Sequence, residues 1–281
     1  MLIYLALVLI VEQGSLYGQG FVGNLPYFLT YTSNWFVSRS DDRVIFYSAW
    51  SLATEEQFYL VWPSVERFTH GLWLVAAACG LILTSLVAGS GPVTEWLGAE
   101  HLLRTILQSV SVPICLGVLL AHLLHDRRGY RWAGAWLGHR FASPWLFLMV
   151  IVGLATMDGW GRWGLLGVEM LMALLVGSCV VREDHGLALL LKLRPIARIG
   201  VISYGMYLLH VLVLNVVRRL LGVAGLDTPL LRFTLCLVLT IGVASLSYRY
   251  YESFFLRRKQ RFTRPPAPDR AEAEAAGAAV R

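Results

Sequence analysis

Charged residues are scarce in this chain of 281 residues: they make up 15% of it, whereas about one quarter of an ordinary soluble domain is charged. This scarcity argues against a soluble globular protein. Hydrophobic residues account for 57% of the chain. They occur in blocks of about twenty residues, which is the length that a transmembrane helix needs. The composition therefore predicts an all-helical, multi-pass membrane bundle.

Cysteine is also rare, with four residues in the chain. Cys79, Cys115, Cys179 and Cys236 each lie alone in an apolar stretch, without a CxxC pair or a histidine at metal-ligand spacing. This pattern argues against a disulfide framework and against a metal site, and we interpret the four residues as small apolar packing residues. Residues 1–11 lack a basic start and a small-residue cleavage site, so no secretory signal peptide is expected.

The apolar blocks predict about eight membrane-spanning helices joined by short connectors that carry Gly, Pro and Asp. We assign residues 1–252 to a single transmembrane domain and residues 253–281 to a basic, disordered tail. The predicted spans are 1–17, 51–66, 72–89, 105–124, 145–157, 163–181, 199–217 and 230–248.

The basic residues are distributed unequally between the two sets of connectors. With Met1 placed inside, the inner connectors and the tail hold 16 Lys and Arg, and the outer connectors hold 7. Because basic flanks resist translocation, this bias predicts a cytoplasmic C-terminus. The net charge of +6 is thereby explained by topology, and nucleic acid is not an expected partner.

The predicted span 51–66 begins with an unusual polar segment. Glu55 and Glu56 lie in the first turns of an otherwise apolar helix, where an intramembrane acid costs about 2.5 to 3.5 kcal/mol. In a purely structural interpretation, both carboxylates meet the positive end of the helix dipole and contact water.

A functional interpretation of the same segment is equally open. Ser51, Glu55, Tyr59 and Trp62 recur at helical spacing, so a polar face would line a cavity. Adjacent helix positions diverge by about 100°, so only one of the two glutamates can face that cavity. We predict that it is Glu55, and that Glu56 pairs with a neighbour or lies near the interface.

A second polar stripe lies on the predicted span 199–217. Ser203, Tyr207 and His210 fall on one helix face. Such a stripe hydrogen-bonds to neighbouring helices in many membrane proteins, and a histidine there is equally a candidate general base or substrate contact. For a lone histidine the structural interpretation is the commoner one.

These stretches resemble the two hallmark motifs of membrane-bound acyltransferase family 3. WSLATEEQFYLVWP at 50–63 is similar to the family pattern WSL-x-x-EEQFYL-x-WP, and GVISYGMYLLH at 200–210 resembles G-x-x-SY-x-x-YL-x-H. LGVLLA at 116–121 and SYRYYE at 247–252 resemble two further family segments. The resemblance implies transfer of an acetyl or other short acyl group from acyl-CoA to a hydroxyl of a sugar, an envelope polysaccharide or a secondary metabolite.

The resemblance also implies roles for particular residues, in a multi-pass protein of the bacterial inner membrane. No bound cofactor or metal is expected, and the partners are the lipid bilayer, acyl-CoA as donor and a carbohydrate or other hydroxyl acceptor. The implied catalytic residues are Glu55 and His210; the substrate-binding residues are Trp50, Ser51, Glu56, Tyr59, Ser203, Tyr204 and Tyr207; and the acyl-CoA phosphates would meet Arg127, Arg128 and Arg198.

The sequence departs from the family pattern at two places. The family's first span, with its histidine base, and the R-x-R-type loop after it have no counterpart, and Val110 and Ser111 stand where an arginine usually precedes the GxLLA segment. We therefore expect no acyl transfer above background from the 281-residue chain alone, and restoration by an added upstream segment of two spans. A transporter and a non-catalytic membrane protein are the alternatives.

Overall fold

A computed structural model describes residues 5, 16–37, 46, 49–98, 101–156 and 159–260. The predicted first span, 1–17, lies largely outside these residues. The described chain divides into two compact units, one ending at Arg198 and one starting at Ile199. The first unit contains α1 (Leu16–Leu29), α2 (Ser33–Phe36), α3 (Ala49–Phe68), α4 (Leu72–Ala88), α5 (Gly91–Leu97), α6 (Leu102–Gln108), α7 (Val112–His125), α8 (Arg127–Leu137), α9 (Ala142–Thr156) and α10 (Gly161–Val181), then α11 (Ala188–Leu191) and the start of α12 (Arg194–Ala224). The rest of α12, α13 (Pro229–Ser247), a π-helix (Tyr248–Glu252) and α14 (Ser253–Gln260) form the second unit.

The predicted all-helical membrane bundle is confirmed, since the described residues form helices and turns without a strand. Within the described residues, four stretches are long and apolar enough to cross a membrane: Leu102–His125, Gly161–Val181, Arg194–Ala224 and Pro229–Arg258. Two bent pairs, α4 with α5 and α8 with α9, raise the number to six if each pair is one span. The predicted span 51–66 is a helix, α3, but it is not among these six because it carries Glu55, Glu56 and Glu66.

Helix boundaries in the first unit follow local capping chemistry. Proline lies in the first turn of α5 and of α7. Proline lacks a backbone N–H, and this position suits it because N–H groups of the first turn have no partner within the helix. Asp126 caps α8 by accepting hydrogen bonds from the backbone N–H groups of Arg128 and Gly129, at 3.0 and 2.9 Å.

Packing in the first unit joins α3, α4 and α7, and then α7 to α10. Trp62, Leu74 and Ala78 form a buried apolar cluster between α3 and α4, and Val118 and Leu119 of α7 pack against it. α10 in turn packs against α7, α8 and α9. Many apolar side chains on these helices point outward, as the lipid-facing surface of a multi-pass membrane protein requires.

The second unit is held by a smaller core. Val213, Val217 and Leu221 of α12 pack against Leu235 and Cys236 of α13. The sequence places the start of a disordered tail at residue 253, whereas residues 253–260 form α14. The guanidinium of Arg258 lies 4.5 Å from the ring centroid of Phe254, a cation–π contact one turn along this helix that favours helical structure.

Candidate active site

A cavity of about 880 Å³ lies in the first unit, among the ends of several helices. Its wall contains the first turns of α3 and α10, the last turn of α4, the C-terminal half of α6 and the segment that leads into α7. Both aromatic and uncharged polar side chains line it, including Trp35, Phe36, Trp50, Ser51 and Gln108. Four charged side chains also line it: Glu55, Arg104, Arg162 and Glu169. Polar and charged side chains that converge on a concave space of this size, beside aromatic side chains, make a candidate small-molecule site.

Three consecutive polar residues of the first motif point in three directions. Glu55 lines the cavity, whereas the neighbouring Glu56 is exposed and does not. Gln57 exchanges two hydrogen bonds with the side chain of Asn34, at 2.8 and 3.0 Å. This division follows from the rotation of about 100° per helical residue. The predicted roles of the two glutamates remain predictions.

Asn34 connects the short helix α2 to the start of α3. Its side chain is 1% exposed and also donates to the hydroxyl of Thr54 at 3.3 Å, while its backbone carbonyl accepts the indole N–H of Trp50 at 3.1 Å. Gln57 donates in addition to the carbonyl of Tyr31 at 2.6 Å. Trp50 and Gln57 of the motif therefore fix the first turns of α3, and with them the direction of Glu55.

We expect Asn34→Ala to lower the free energy of unfolding by about 2 to 3 kcal/mol. The reason is that the side chains of Gln57 and Thr54 each lose the hydrogen bond that the buried Asn34 provides. The thermal transition of the purified protein in detergent measures this loss. Asn24→Ala on α1 is the matched control, and its partly exposed position predicts a change within about 0.5 kcal/mol. Equal transitions for the two variants would contradict the role of Asn34.

Arg162 is held at the cavity wall by the end of α4. Its Nη1 donates to the backbone carbonyls of Ser85 at 2.7 Å and Leu86 at 3.3 Å. These carbonyls belong to the last turn of a helix, where a cation is favoured by the helix dipole. A Cβ on Gly89 would lie 1.7 Å from Cζ of Arg162, so the guanidinium occupies the space that glycine leaves open.

Only the N-terminal part of the predicted polar face of α3 lines the cavity. Ser51 and Glu55 line it, but Tyr59 is 59% exposed and Trp62 is buried against α4. Each helical residue advances about 1.5 Å, so positions two and three turns beyond Ser51 lie past the cavity. The indole N–H of Trp62 instead donates to Glu66 at 2.8 Å.

The second motif lies on α12 in the second unit. Ile202, Gly205 and Leu209 form the buried face of this helix, and Ser203, Tyr204, Tyr207 and His210 are exposed. Nδ1 of His210 lies 2.6 Å from the backbone carbonyl of Tyr207. A neutral imidazole that donates from Nδ1 keeps the lone pair of Nε2 as a proton acceptor.

Arg249 and Glu252 lie three residues apart, but they form no ion pair among the described residues of the second unit. Glu252 instead accepts a hydrogen bond from Ser247 at 3.4 Å, and Arg249 lies 5.6 Å from the ring centroid of Tyr250. The reason is the π-helix at Tyr248–Glu252, which brings together residues five apart in place of residues three or four apart.

The arginines predicted to meet acyl-CoA lie away from the cavity. Arg127 and Arg128 follow the C-terminal end of the 14-residue helix α7, and the first residues of this helix line the cavity. At 1.5 Å per residue this separation along the helix is about 20 Å. Both arginines are exposed, as is Arg198 near the start of α12. The described structure does not bring these three residues to the cavity.

Arg104, Arg162 and Glu169 were not predicted as site residues. One signal was available for Glu169, since it is an acid inside the apolar run 163–181 and intramembrane acids are functional candidates. No comparable signal marked the two arginines, which lie near the ends of predicted spans where basic residues are common.

Comparison with known proteins assigns the chain to a family. A family model described as an acyltransferase domain matches residues 1–249. The chain therefore belongs to acyltransferase family 3, the family that its two motifs resemble, and it is a multi-pass membrane protein.

One similar curated protein is "Putative peptidoglycan O-acetyltransferase YrhL" of Bacillus subtilis (strain 168), which is 25% identical over 221 residues. The match covers 72% of this chain and 33% of that protein, so the chain spans about a third of the length of the relative. No solved structure matches the chain.

Proposed function

We propose that the protein is a membrane O-acyltransferase that transfers an acetyl or other short acyl group from acyl-CoA to a hydroxyl of a carbohydrate acceptor, such as peptidoglycan. The observation that carries this proposal is the cavity, where Glu55 of the first family motif lies beside aromatic and polar side chains. Family membership and the name of the B. subtilis relative support the reaction class. The membrane would be the bacterial inner membrane.

Glu55 is the proposed proton acceptor for the hydroxyl of the acceptor. The new bond forms between the hydroxyl oxygen and the acyl carbon while the thioester C–S bond breaks, and the hydroxyl proton passes through Glu55 to the departing thiolate. The products are an ester and a free thiol. A positioned base of this kind contributes about 10²- to 10⁴-fold to a rate. Trp50 and Ser51, which also line the cavity, would contact the acceptor.

The remaining family residues stay proposed contributors. His210, with Ser203, Tyr204 and Tyr207, forms an exposed polar stripe on α12 that offers a second candidate base and substrate contacts. Glu56 and Tyr59 are exposed on α3 and would meet the substrate only outside the cavity.

Arg127, Arg128 and Arg198 are the proposed contacts of the acyl-CoA phosphates. Arginine is suited to phosphate because its planar fork makes paired, charge-assisted hydrogen bonds. Since Arg127 and Arg128 follow the far end of α7, the donor would approach from the end of the helices opposite to the cavity. Donor and acceptor would then reach the reaction centre from opposite faces of the membrane.

Transfer of a labelled acetyl group from acetyl-CoA to peptidoglycan fragments tests this function in membrane vesicles. The assay compares the chain alone with the chain carrying a two-span segment of the family ahead of Met1. Labelled ester in either form, released by mild base and absent without acceptor, supports the proposal. Absence of labelled ester from both forms, with peptidoglycan and with other polysaccharide acceptors, contradicts it.

We expect the C-terminus to be cytoplasmic, because of the 16 to 7 distribution of basic residues. A reporter that is active only in the cytoplasm, fused after Arg264, should give a signal, and a reporter that is active only outside should not. The reverse pattern would contradict the orientation.

A further inference from the structure

Two arginines share one part of the cavity wall. Arg104 extends from α6 and Arg162 from the first turn of α10. Arg162 is partly buried, and Arg104 lies close enough for the two guanidinium groups to repel each other. Within the described part of the chain, Arg162 has no carboxylate at ion-pair distance, and its hydrogen bonds to Ser85 and Leu86 use only Nη1. Two like charges in a partly desolvated wall raise the positive potential there and favour an anion beside them.

Helix ends add to the positive potential at the same place. α7 and α10, of 14 and 21 residues, both have their N-terminal ends at the cavity. Neither N-cap residue, Ser111 or Trp160, makes a side-chain capping hydrogen bond. The N-terminus of each helix carries about half a positive charge, which favours an anion nearby. The arginines and the helix ends therefore both favour an anion in this part of the cavity.

Two carboxylates limit the charge of the ligand that fits. Glu55 and Glu169 also line the cavity, and neither forms an ion pair among the described residues. With both ionised, the four side chains sum to zero, so a bound dianion leaves two uncompensated negative charges and a monoanion leaves one. The smaller excess costs less in a partly desolvated wall. Trp35 and Trp50 add flat apolar surface beside hydrogen-bonding groups, a combination that suits a sugar ring with its hydroxyls.

We infer that Arg104 and Arg162 form a subsite for a carboxylate on the acceptor sugar, which makes the protein selective for acidic carbohydrates. The identity of the ligand as an acceptor rests on the proposed function. The carboxylate would take paired hydrogen bonds from the guanidinium groups. The sugar ring would then extend along the aromatic wall towards Glu55.

Calorimetric binding to the purified chain in lipid nanodiscs tests the subsite without an acyl donor. The probes are a galacturonic acid disaccharide, its uronamide and a galactose 6-phosphate disaccharide. We expect the uronate to bind about tenfold more tightly than the neutral uronamide, as one charge-assisted contact provides. Equal affinities for uronate and uronamide, or no binding of either, would overturn the inference. Tightest binding of the phosphate would overturn the assignment to a carboxylate.

Variants separate the subsite from general damage. Arg162→Gln and Arg104→Gln should each weaken uronate binding about tenfold and change uronamide binding less than about twofold. Arg232→Gln, which removes an arginine paired with Asp227 in the second unit, should leave both affinities unchanged. Glu169→Gln should strengthen uronate binding about threefold, because it removes a negative charge from the wall, and a misfolded protein would not gain affinity. Weaker binding in Glu169→Gln would contradict the inference.

The same experiments distinguish this inference from the proposed function. Selective uronate binding by the chain, with no acyl transfer by either the chain alone or the chain carrying the two-span segment, contradicts the function and supports the subsite. A chain that transfers acyl groups to neutral sugars and binds uronate no better than uronamide supports the function and overturns the subsite.

Discussion

Replacing Glu55 by Gln should lower acyl transfer at least about hundredfold, whereas Glu56→Gln should retain activity within about threefold. The reason is that Glu55 lines the cavity and its neighbour is exposed on another face of α3. The amide keeps the size and the hydrogen-bonding of the side chain but accepts no proton, and loss of a positioned base costs about 10² to 10⁴ in rate. Both substitutions are made in whichever form of the protein is active, and the acetyl-transfer assay measures their rates.

The binding of neutral uronamide provides the control for Glu55→Gln. Unchanged binding with lost turnover assigns Glu55 to the chemical step, because a distorted cavity would lose both. The opposite pattern, with activity lost in Glu56→Gln and kept in Glu55→Gln, would reverse the assignment. Loss in His210→Ala with full activity in Glu55→Gln would move the base to α12.

The helical architecture and the directions of the two glutamates in the first motif were predictable from the sequence, because both depend on local pattern. Apolar blocks of about twenty residues specify membrane helices without reference to the rest of the chain. The different directions of Glu55 and Glu56 follow from helix geometry alone. The position of the cavity along α3 did not follow, since the pattern specifies a face of the helix and carries no information on which turn meets the other helices.

The contacts of Trp50 and Gln57 were not predictable for a different reason. Both side chains bond to Asn34, which lies on the four-residue helix α2. A helix this short has no hydrophobic period to reveal which residues it buries. The sequence therefore indicates a substrate contact for Trp50, but it does not indicate that Trp50 and Gln57 also hold α2 against α3.

The arginines of the cavity illustrate a third limit. Arg104 and Arg162 lie far apart in sequence, and each is an ordinary basic residue near the end of a predicted span. Their approach depends on the packing of α10 against α7 and of α4 against α6 and α7, which a single sequence does not specify. The bond from Arg162 to the end of α4 likewise requires Gly89 to stand beside it.

Gly89→Ala should displace the guanidinium of Arg162 and weaken uronate binding about tenfold, as Arg162→Gln does. The backbone of Gly89, at φ −90° and ψ 1°, accommodates alanine, so the effect arises from the methyl group alone. An arginine side chain moves easily, but by moving it loses its hydrogen bonds to the carbonyls of Ser85 and Leu86. Loss of such charged hydrogen bonds should lower the free energy of unfolding by about 2 to 3 kcal/mol. Calorimetric binding and the thermal transition in detergent measure the two effects.

Gly91→Ala is the matched control, because a Cβ at Gly91 meets nothing within 4 Å. Its binding and its thermal transition should equal those of the unmodified protein. The double variant Gly89→Ala/Arg162→Gln should bind uronate no more weakly than either single variant, since two changes that remove the same interaction do not add. Additive losses would show that Gly89 acts on the cavity by a route other than Arg162. Unchanged affinity in Gly89→Ala would show that the guanidinium reaches the ligand from another position.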